Sequence, residues 1–302
     1  MKPLNVDVAV VGAGVAGLSA ALTLARARRK VQVVDAGSPR NRFASHAHGL
    51  LTREGIGPQE LLELGRSEVE AFGGEIVRAK ANSITENRSG KSLTILTDSQ
   101  SIRADAVIIA TGITDVLPSI PGVEDHWGET VHHCSYCHGA ELDPEKAVAV
   151  LGGENKPFIL KQAKLLTQWN PKVSLITCGM SLSKDERDDL LARGISVDDR
   201  MVTSVSTSST NDSVLAINPG DTMTVGAVFV GPSFQPNDDL LRKAGCARDG
   251  QGWTTRDQFG RTSIEGIWAA GNVVTSSAQL VNAAAEGATA AININDTLLG
   301  LA

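Results

Sequence analysis

The sequence predicts an α/β fold built on dinucleotide-binding βαβ units, and three observations carry that prediction. A buried-strand pattern at residues 6–11 runs straight into a glycine-spaced turn, a helix and a second short strand that ends in an acid. A second strand-then-helix pattern, residues 147–151 followed by 158–169, opens a comparable unit halfway along the chain. The 302 residues, 42% of them hydrophobic, suffice for two such units, each with its own core.

Val6-Asp7-Val8-Ala9-Val10-Val11 is the short apolar run expected of a buried parallel strand. It ends in Gly12-Ala13-Gly14-Val15-Ala16-Gly17, and residues 18–26 continue as a helix. The three glycines have different roles. Gly12 makes the tight turn, Gly14 admits a pyrophosphate to the backbone, and Gly17 lets helix pack on strand. The helix N-terminus offers its unpaired N–H groups to phosphate oxygens. Residues 31–34 form the next strand, and Asp35 follows it about 20 residues past the glycines, where a carboxylate accepts ribose hydroxyls. Strand, glycines, helix, strand and acid in this order are a specific nucleotide signal, though one that does not separate NAD from FAD.

The second chemical signal is Cys134-Ser135-Tyr136-Cys137-His138-Gly139, preceded by His132 and His133. A thiolate is the reactive form of cysteine, and nearby imidazoles can take its proton or stabilise its charge. The competing readings are half of a zinc site or a pair of buried thiols. A four-cysteine zinc site needs a second close pair, whereas Cys178 and Cys246 stand alone, and a site using the adjacent histidines is sterically awkward. The pair is therefore read as a redox-active disulfide, with no metal assigned.

Composition narrows the partners. A net charge of −6 and a pI near 5.6 argue against nucleic acid and anionic membranes. The apolar runs are too short to span a bilayer. Met1-Lys2-Pro3 leads almost directly into the first strand, leaving no room for a signal peptide, and four cysteines in a chain this long form no disulfide scaffold; a cytoplasmic location is expected.

Three further blocks resemble known flavoproteins. Val107-Ile108-Ile109-Ala110-Thr111-Gly112 resembles the strand and Thr-Gly turn of two-dinucleotide-domain flavoproteins. Gly266-Ile267-Trp268-Ala269-Ala270-Gly271-Asn272 resembles their second flavin motif, which usually ends in Asp beside the ribityl chain; Asn272 keeps a hydrogen-bonding group there without the charge. Residues 279–287 begin a small-residue helix that in those proteins points its positive end at the flavin. In this order the blocks are similar to the low-molecular-weight thioredoxin reductase family over nearly the whole chain. The resemblance implies two nested Rossmann-like, three-layer ββα dinucleotide-binding domains. One would be an FAD domain of residues 1–113 and 242–302; the other, residues 114–241, would be inserted and carry the Cys-x-x-Cys. FAD is the implied cofactor, and a homodimer the implied assembly. Its contacts in the first turn would come from Gly12, Gly14, Ala16 and Gly17, with Asp35, Ala36, Arg42 and His48 beyond it. Later contacts would come from Thr111, Gly112, Gly271, Asn272, Gln279 and Leu280.

The inserted unit departs from a reductase. Gly152-Gly153-Glu154-Asn155-Lys156-Pro157 lacks the glycine spacing, sets Glu154 where a pyrophosphate would approach, and loses a backbone donor at Pro157. After the strand at 173–177, where an NADPH-dependent enzyme shows an arginine cluster, only Lys184 and Arg187 are basic, and both neighbour acids. A structural domain that has lost its nucleotide is the reading these residues favour. His138 stands where the reductases typically keep an acid. Together with Asn41, His46, His48-Gly49 and Leu51-Thr52-Arg53, it resembles the thioredoxin-reductase-like dithiol oxidases of microbial natural-product pathways, of the gliotoxin and holomycin type. That resemblance implies oxidation of a small-molecule dithiol to an intramolecular disulfide, with O2 reduced to H2O2. Cys134 would take the substrate, Cys137 would face the flavin, and His138, with His133 as second choice, would act as base. Still open are a disulfide reductase fed by ferredoxin or another protein donor, an ordinary NADPH-dependent reductase, and a non-catalytic flavin redox sensor.

Other residues have plainer expectations. Trp169 and Trp268 read as core, and Cys178 and Cys246 as buried, unreactive thiols. Trp127 divides between pocket and core, and His46 and His48 between surface loop and flavin pocket, the resemblance favouring the pocket. Ser183 and Glu186 have capping-box spacing.

Overall fold

The structure, a computed structural model, describes residues 3–86 and 92–301. In chain order the first part contains β1 (Leu4–Val11), α1 (Val15–Arg26), β2 (Val31–Asp35), α2 (Pro58–Ala71), β3 (Glu75–Arg78), β4 (Ala81–Glu86), β5 (Leu93–Thr97), β6 (Ser101–Ile109) and β7 (Ile113–Val116). The middle part contains β8 (Val131–His132), α3 (Ser135–His138), β9 (Val148–Leu151), α4 (Lys156–Leu166), β10 (Val173–Ile176), α5 (Lys184–Ala192) and β11 (Ser196–Asp198). It continues with β12 (Met201–Thr207), β13 (Ser213–Asn218), β14 (Asp221–Val225), β15 (Ala227–Phe229) and β16 (Ser233–Pro236). The chain closes with α6 (Asp239–Lys243), β17 (Ile267–Ala269) and α7 (Leu280–Leu298).

Two compact units result: residues 1–42, 48–114 and 235–302 form one, and residues 43–47 and 115–234 the other. The chain leaves the first unit in β7 and returns to it in β16.

The first unit is centred on a sheet ordered β3-β2-β1-β6-β5-β4, with β17 also on β6. The apolar run at 6–11 becomes a strand because both of its faces are covered, as the central strand of a parallel set requires. Val8 and Val10 pack with α1, α2 and α7; Ala9 and Val11 pack with β4, β5 and α6 on the other side. Small residues set the spacing of α1 and α7: a Cβ on Gly287 would lie 2.0 Å from the Ala16 carbonyl oxygen, so only glycine permits this approach.

The second unit repeats the plan with a parallel sheet β11-β10-β9-β15-β8. Val148, Val150, Val173 and Leu175 face α4 and α5, while Ala149, Leu151 and Ile176 face the antiparallel sheet β12-β13-β14. Each unit is thus a three-layer ββα arrangement. The helix expected at 158–169 begins earlier, because Pro157 sits in the first turn, where its missing N–H is not needed. Ser183 and Glu186 do form a capping box at the start of α5. Among the described residues, no helix is long and apolar enough to cross a membrane.

Candidate active site

The glycine turn after β1 fits a dinucleotide phosphate. Gly12 has φ +104°, and a Cβ there would lie 2.4 Å from the Ala110 carbonyl oxygen. A Cβ on Gly17 would lie 1.9 Å from the Gly12 carbonyl oxygen, so α1 can approach β1 only with glycine at this position. Gly14 is the reverse case: no atom lies within 4 Å of where its Cβ would be. It is the N-cap of α1 and brings no side-chain cap, so the first-turn N–H groups face an opening. Ala16 packs on the same turn, beneath Gly271, whose Cβ would lie 2.9 Å away from it.

Asp35 ends β2 buried, with Oδ1 accepting the Ala13 N–H at 3.3 Å and Oδ2 lying 3.5 Å from Arg66 Nη2. Ala36 beside it is exposed, and Arg42 donates to the Pro39 carbonyl at 3.1 Å. His48 Nδ1 lies 2.6 Å from Glu54 Oε1, while Glu54 Oε2 accepts the Gly49 N–H at 2.8 Å. The His48 bond, and then the Gly49 bond, hold the Glu54 carboxyl below its usual range. His46 is exposed.

The Thr111-Gly112 turn is held by a residue that sequence reading did not single out. Asn237 Nδ2 donates to the Thr111 carbonyl at 3.1 Å, and the Thr111 hydroxyl donates to the Asn237 carbonyl at 2.7 Å. Gly271 donates its N–H to Glu286 Oε2 at 2.8 Å, and Glu286 Oε1 pairs with Arg256 at 2.7 Å. Asn272 turns its amide nitrogen onto the loop that leads to Gln279, the N-cap of α7, and Leu280, its first residue. α7 also begins without a side-chain cap. Two uncapped helix starts, an open glycine and a buried carboxylate suit the phosphates and ribose of a dinucleotide such as FAD.

The cysteine segment lies in the second unit. Cys134 and Cys137 form a disulfide with Cα atoms 5.2 Å apart. Cys134 is the N-cap of the single turn α3, and its sulfur accepts the Cys137 N–H at 3.2 Å. His138 ends the turn and stacks on His132, ring centroids 4.0 Å apart. His132 comes from β8, and Phe229 of the neighbouring β15 lies 5.5 Å from its ring. Its Nδ1 is buried without a hydrogen-bond partner. Burial first, then the nearby His138 and His133, pushes His132 down to about 3, so it is neutral at physiological pH. His132 belongs to the site by geometry, although the sequence singled out only His138 and His133 as bases.

His133 has different neighbours. Its ring stacks on Trp127 at 5.3 Å and meets Phe234 edge-on at 6.3 Å, while its carbonyl accepts from Gln162 Nε2 at 3.0 Å. Tyr136, the one tyrosine of the chain, is 66% exposed and edge-on to Trp169 at 5.9 Å. Trp169 is half-buried rather than a core residue, and Gly139 packs so closely that a Cβ there would lie 2.5 Å from the indole. Trp268 is core, its indole N–H donating to Asn293 at 3.1 Å. Cys246 is buried, Cys178 is half-buried, and burial raises both thiols above their ordinary range.

The turn after β9 differs from the turn after β1. A Cβ on Gly152 would lie 1.9 Å from the Thr177 carbonyl oxygen. Asn155 Nδ2 donates to the Pro232 carbonyl at 3.0 Å, and the Lys156 N–H turns back to the Glu154 carbonyl at 2.9 Å. Lys156 Nζ pairs with Glu186 at 2.6 Å, and Arg187 Nη2 reaches both oxygens of Asp199 at 2.7 and 2.9 Å.

Comparison with known proteins agrees with this geometry. The model of the pyridine nucleotide-disulphide oxidoreductase family matches residues 6–288. The thioredoxin reductase sirT of Leptosphaeria maculans is 26% identical over 99% of this chain and 96% of its own length. The thioredoxin reductase of Listeria innocua is 29% identical over 95% of this chain and 92% of its own. The crystal structure of HlmI superposes with a TM-score of 0.94 and 38% identity, covering 98% of this chain and 93% of that one. The putative thioredoxin reductase TrxB from Bacillus anthracis superposes with a TM-score of 0.91 and 30% identity, covering 98% and 99%. With its two dinucleotide-fold units and its Cys134–Cys137 disulfide, the chain belongs to the pyridine nucleotide-disulphide oxidoreductases and is a thioredoxin reductase-like oxidoreductase of flavoprotein type.

Proposed function

We propose that this protein is an FAD-dependent dithiol oxidase. It would convert a small-molecule dithiol into its intramolecular disulfide and reduce O2 to H2O2. The observation that carries the reading is the contrast between a disulfide flanked by stacked histidines and a neighbouring βα turn tied up by its own side chains. Lys156 and Arg187, cations that a nicotinamide dinucleotide's phosphates could use, are committed to Glu186 and Asp199. HlmI and sirT, full-length relatives of this chain, add the comparison.

FAD would be held by the Gly12–Gly17 turn and α1 at its phosphates and by Asp35 and Ala36 at its ribose. Arg42, Thr111-Gly112, Gly271-Asn272 and Gln279-Leu280 would line the remainder. The chemistry a bound FAD supplies is a two-electron relay from the reduced cysteine pair to O2, which leaves as H2O2.

The protein's own groups perform the thiol steps. A substrate thiolate attacks Cys134 Sγ, the S–S bond breaks, and the electron pair leaves on Cys137 Sγ. The substrate's second thiol then attacks its own sulfur in the mixed disulfide and displaces Cys134. The substrate leaves as a cyclic disulfide, and the two cysteines carry its two electrons and two protons. The Cys137 N–H already donates to Cys134 Sγ, which places a donor on the sulfur that must depart in this second step. His138 takes the proton of the incoming thiol: an imidazole near ~6.5 is matched to a thiol near ~8.5, as a carboxylate near ~3.9 is not. His132, neutral and stacked on the same ring, adds no competing charge beside it. Dithiols at about −270 to −120 mV are strong enough reductants for oxygen.

Anaerobic stopped-flow mixing of the yellow protein with dithiothreitol, and separately with NADPH, tests this. Bleaching by the dithiol alone, followed on admitting air by one H2O2 per dithiol oxidised, is the expected result. Bleaching by NADPH, or a reduced flavin inert to oxygen, sinks the proposal.

A further inference from the structure

Asn272 follows Gly271 in the turn after β17, at the place where the flavoprotein motif ordinarily ends in an acid. Its side chain points at its own chain. Nδ2 lies 2.9 Å from the Thr275 carbonyl oxygen, 3.3 Å from that of Ser276 and 3.2 Å from that of Ala278. Two N–H bonds are thus shared among three converging acceptors. The surroundings also fix which end of the amide faces them, because the flipped amide would set an oxygen against three oxygens. Arg40 Nη1 adds a fourth contact, reaching the Ser276 carbonyl at 3.4 Å. This loop runs directly into Gln279 and α7, a 19-residue helix that has no side-chain cap.

We infer that Asn272 is a positioning residue that this chain needs as an amide. It staples residues 275–278 and so fixes the start of α7, the helix end directed at the cofactor in the reading above. An aspartate carboxylate has no proton to donate and would place its charge against the same three carbonyl oxygens. The acid usual in the motif would therefore loosen this site rather than restore it. The part of the inference that concerns FAD rests on the proposed cofactor; the stapling of the loop does not.

Two readouts on Asn272→Asp and Asn272→Ala proteins separate these parts. In FAD-stripped protein at pH 8, cleavage by a broad-specificity protease within residues 275–278, located by mass spectrometry, reports local opening. The expected order of cleavage is Asp fastest, about 10-fold above the parent, with Ala intermediate, since each lost charge-free hydrogen bond contributes on the order of a factor of 5–10. In FAD-reconstituted protein, dilution with recovery of free-flavin fluorescence measures retention, and the Asp protein is expected to release FAD about 10-fold more readily than the parent. Parent-like cleavage of both variants overturns the staple. FAD held by the Asp protein as tightly as by the parent overturns its role at the cofactor end. A parent that takes up no FAD refutes the cofactor reading and leaves the staple to be decided by cleavage. Should the Asp protein not fold, parent-like cleavage of the Ala protein still refutes the staple.

Discussion

The βα turn of the first unit and that of the second are built on one plan and have opposite contents. After β1, Gly14 opens on space: no atom lies within 4 Å of where its Cβ would be. After β9, Gly152 is pressed against the Thr177 carbonyl much as Gly12 is against that of Ala110, but Asn155 reaches across to Pro232 and Lys156 is drawn to Glu186. Both turns follow buried strand residues, Val8–Val11 and Val148–Leu151, and precede a packed helix, so the fold survives in either case. What differs is whether the polar groups at the turn are left for a ligand or used by the chain. Layer packing keeps a Rossmann-like unit intact; nucleotide binding needs in addition that the turn stay unfilled.

The largest expected effect comes from removing the chemistry that the second unit keeps. Cys137→Ser leaves Cys134 a lone thiol, with no S–S bond for a substrate thiolate to attack and no partner sulfur to take the electron pair. Dithiol oxidation, measured as H2O2 release, should fall by at least about 10³-fold, the scale for losing a nucleophilic residue, while the protein stays yellow. A Cys137→Ser protein with parent turnover would make the second unit a passive scaffold and would favour a redox sensor.

Next in size are paired substitutions that set one turn against the other. At Gly14→Val the Cβ meets no atom within 4 Å, so the protein should fold, yet the side chain enters the space left for a phosphate. Flavin absorbance on the purified protein should be lost. Gly153→Ala meets only Ile159 Cδ1, at an ordinary contact distance of 3.7 Å, and should change neither flavin content nor dithiol turnover. If Gly153→Ala instead altered a response to NADPH, the two turns would have to be treated as equivalent.

The N-terminal unit could be read from sequence because its signals are local. Gly12, Gly14, Gly17 and Asp35 each answer a constraint set within one strand, one turn and one helix. The Ser183–Glu186 cap could be read for the same reason. What escaped depends on residues distant in the chain meeting in space. Asn237 clasps the Thr111 turn from more than a hundred residues away, and Glu286 reaches back to Gly271 across a helix start. His132 lies just before the cysteine segment, but its stack on His138 follows from β8 ending beside a one-turn helix, a geometry that no periodicity announces. Trp169 looked like the end of an apolar helix face, and only its contacts with Gly139 and Tyr136 show that it borders the disulfide.

A smaller effect is the pH dependence of His132. Its folded pKa of about 3 lies below an unfolded value of 6.5, so below pH 6.5 the unfolded chain binds a proton that the folded chain does not. Stability from this group is therefore intact above pH 6.5 and falls as pH drops, until the folded form also protonates near 3. At pH 5 the loss is about 2 kcal/mol. Urea denaturation at pH 8 and pH 5 should show that drop in the parent and a smaller one in His132→Phe, whose ring fills the stack without titrating.

The smallest expected effect tests the second unit's turn most directly. Arg187 stands after β10, where an NADPH-dependent enzyme would use a cation on the 2′-phosphate, but here its Nη2 is shared between both oxygens of Asp199. The pair is substantially exposed, so removing it should change stability by no more than about 0.5 kcal/mol. Arg187→Ala should then leave dithiol turnover at the parent value and NADPH as inert as before. Asp199→Asn is the sharper variant, because it releases the guanidinium without removing it. If the second unit lacks a nucleotide site merely because its cation is occupied, this substitution should create a measurable response to NADPH. If the turn at residues 152–157 is itself closed, freeing Arg187 does nothing, since a 2′-phosphate contact cannot anchor a dinucleotide whose pyrophosphate has nowhere to lie. The bonds that Asn155 and the Lys156 N–H make at the turn point to the second outcome.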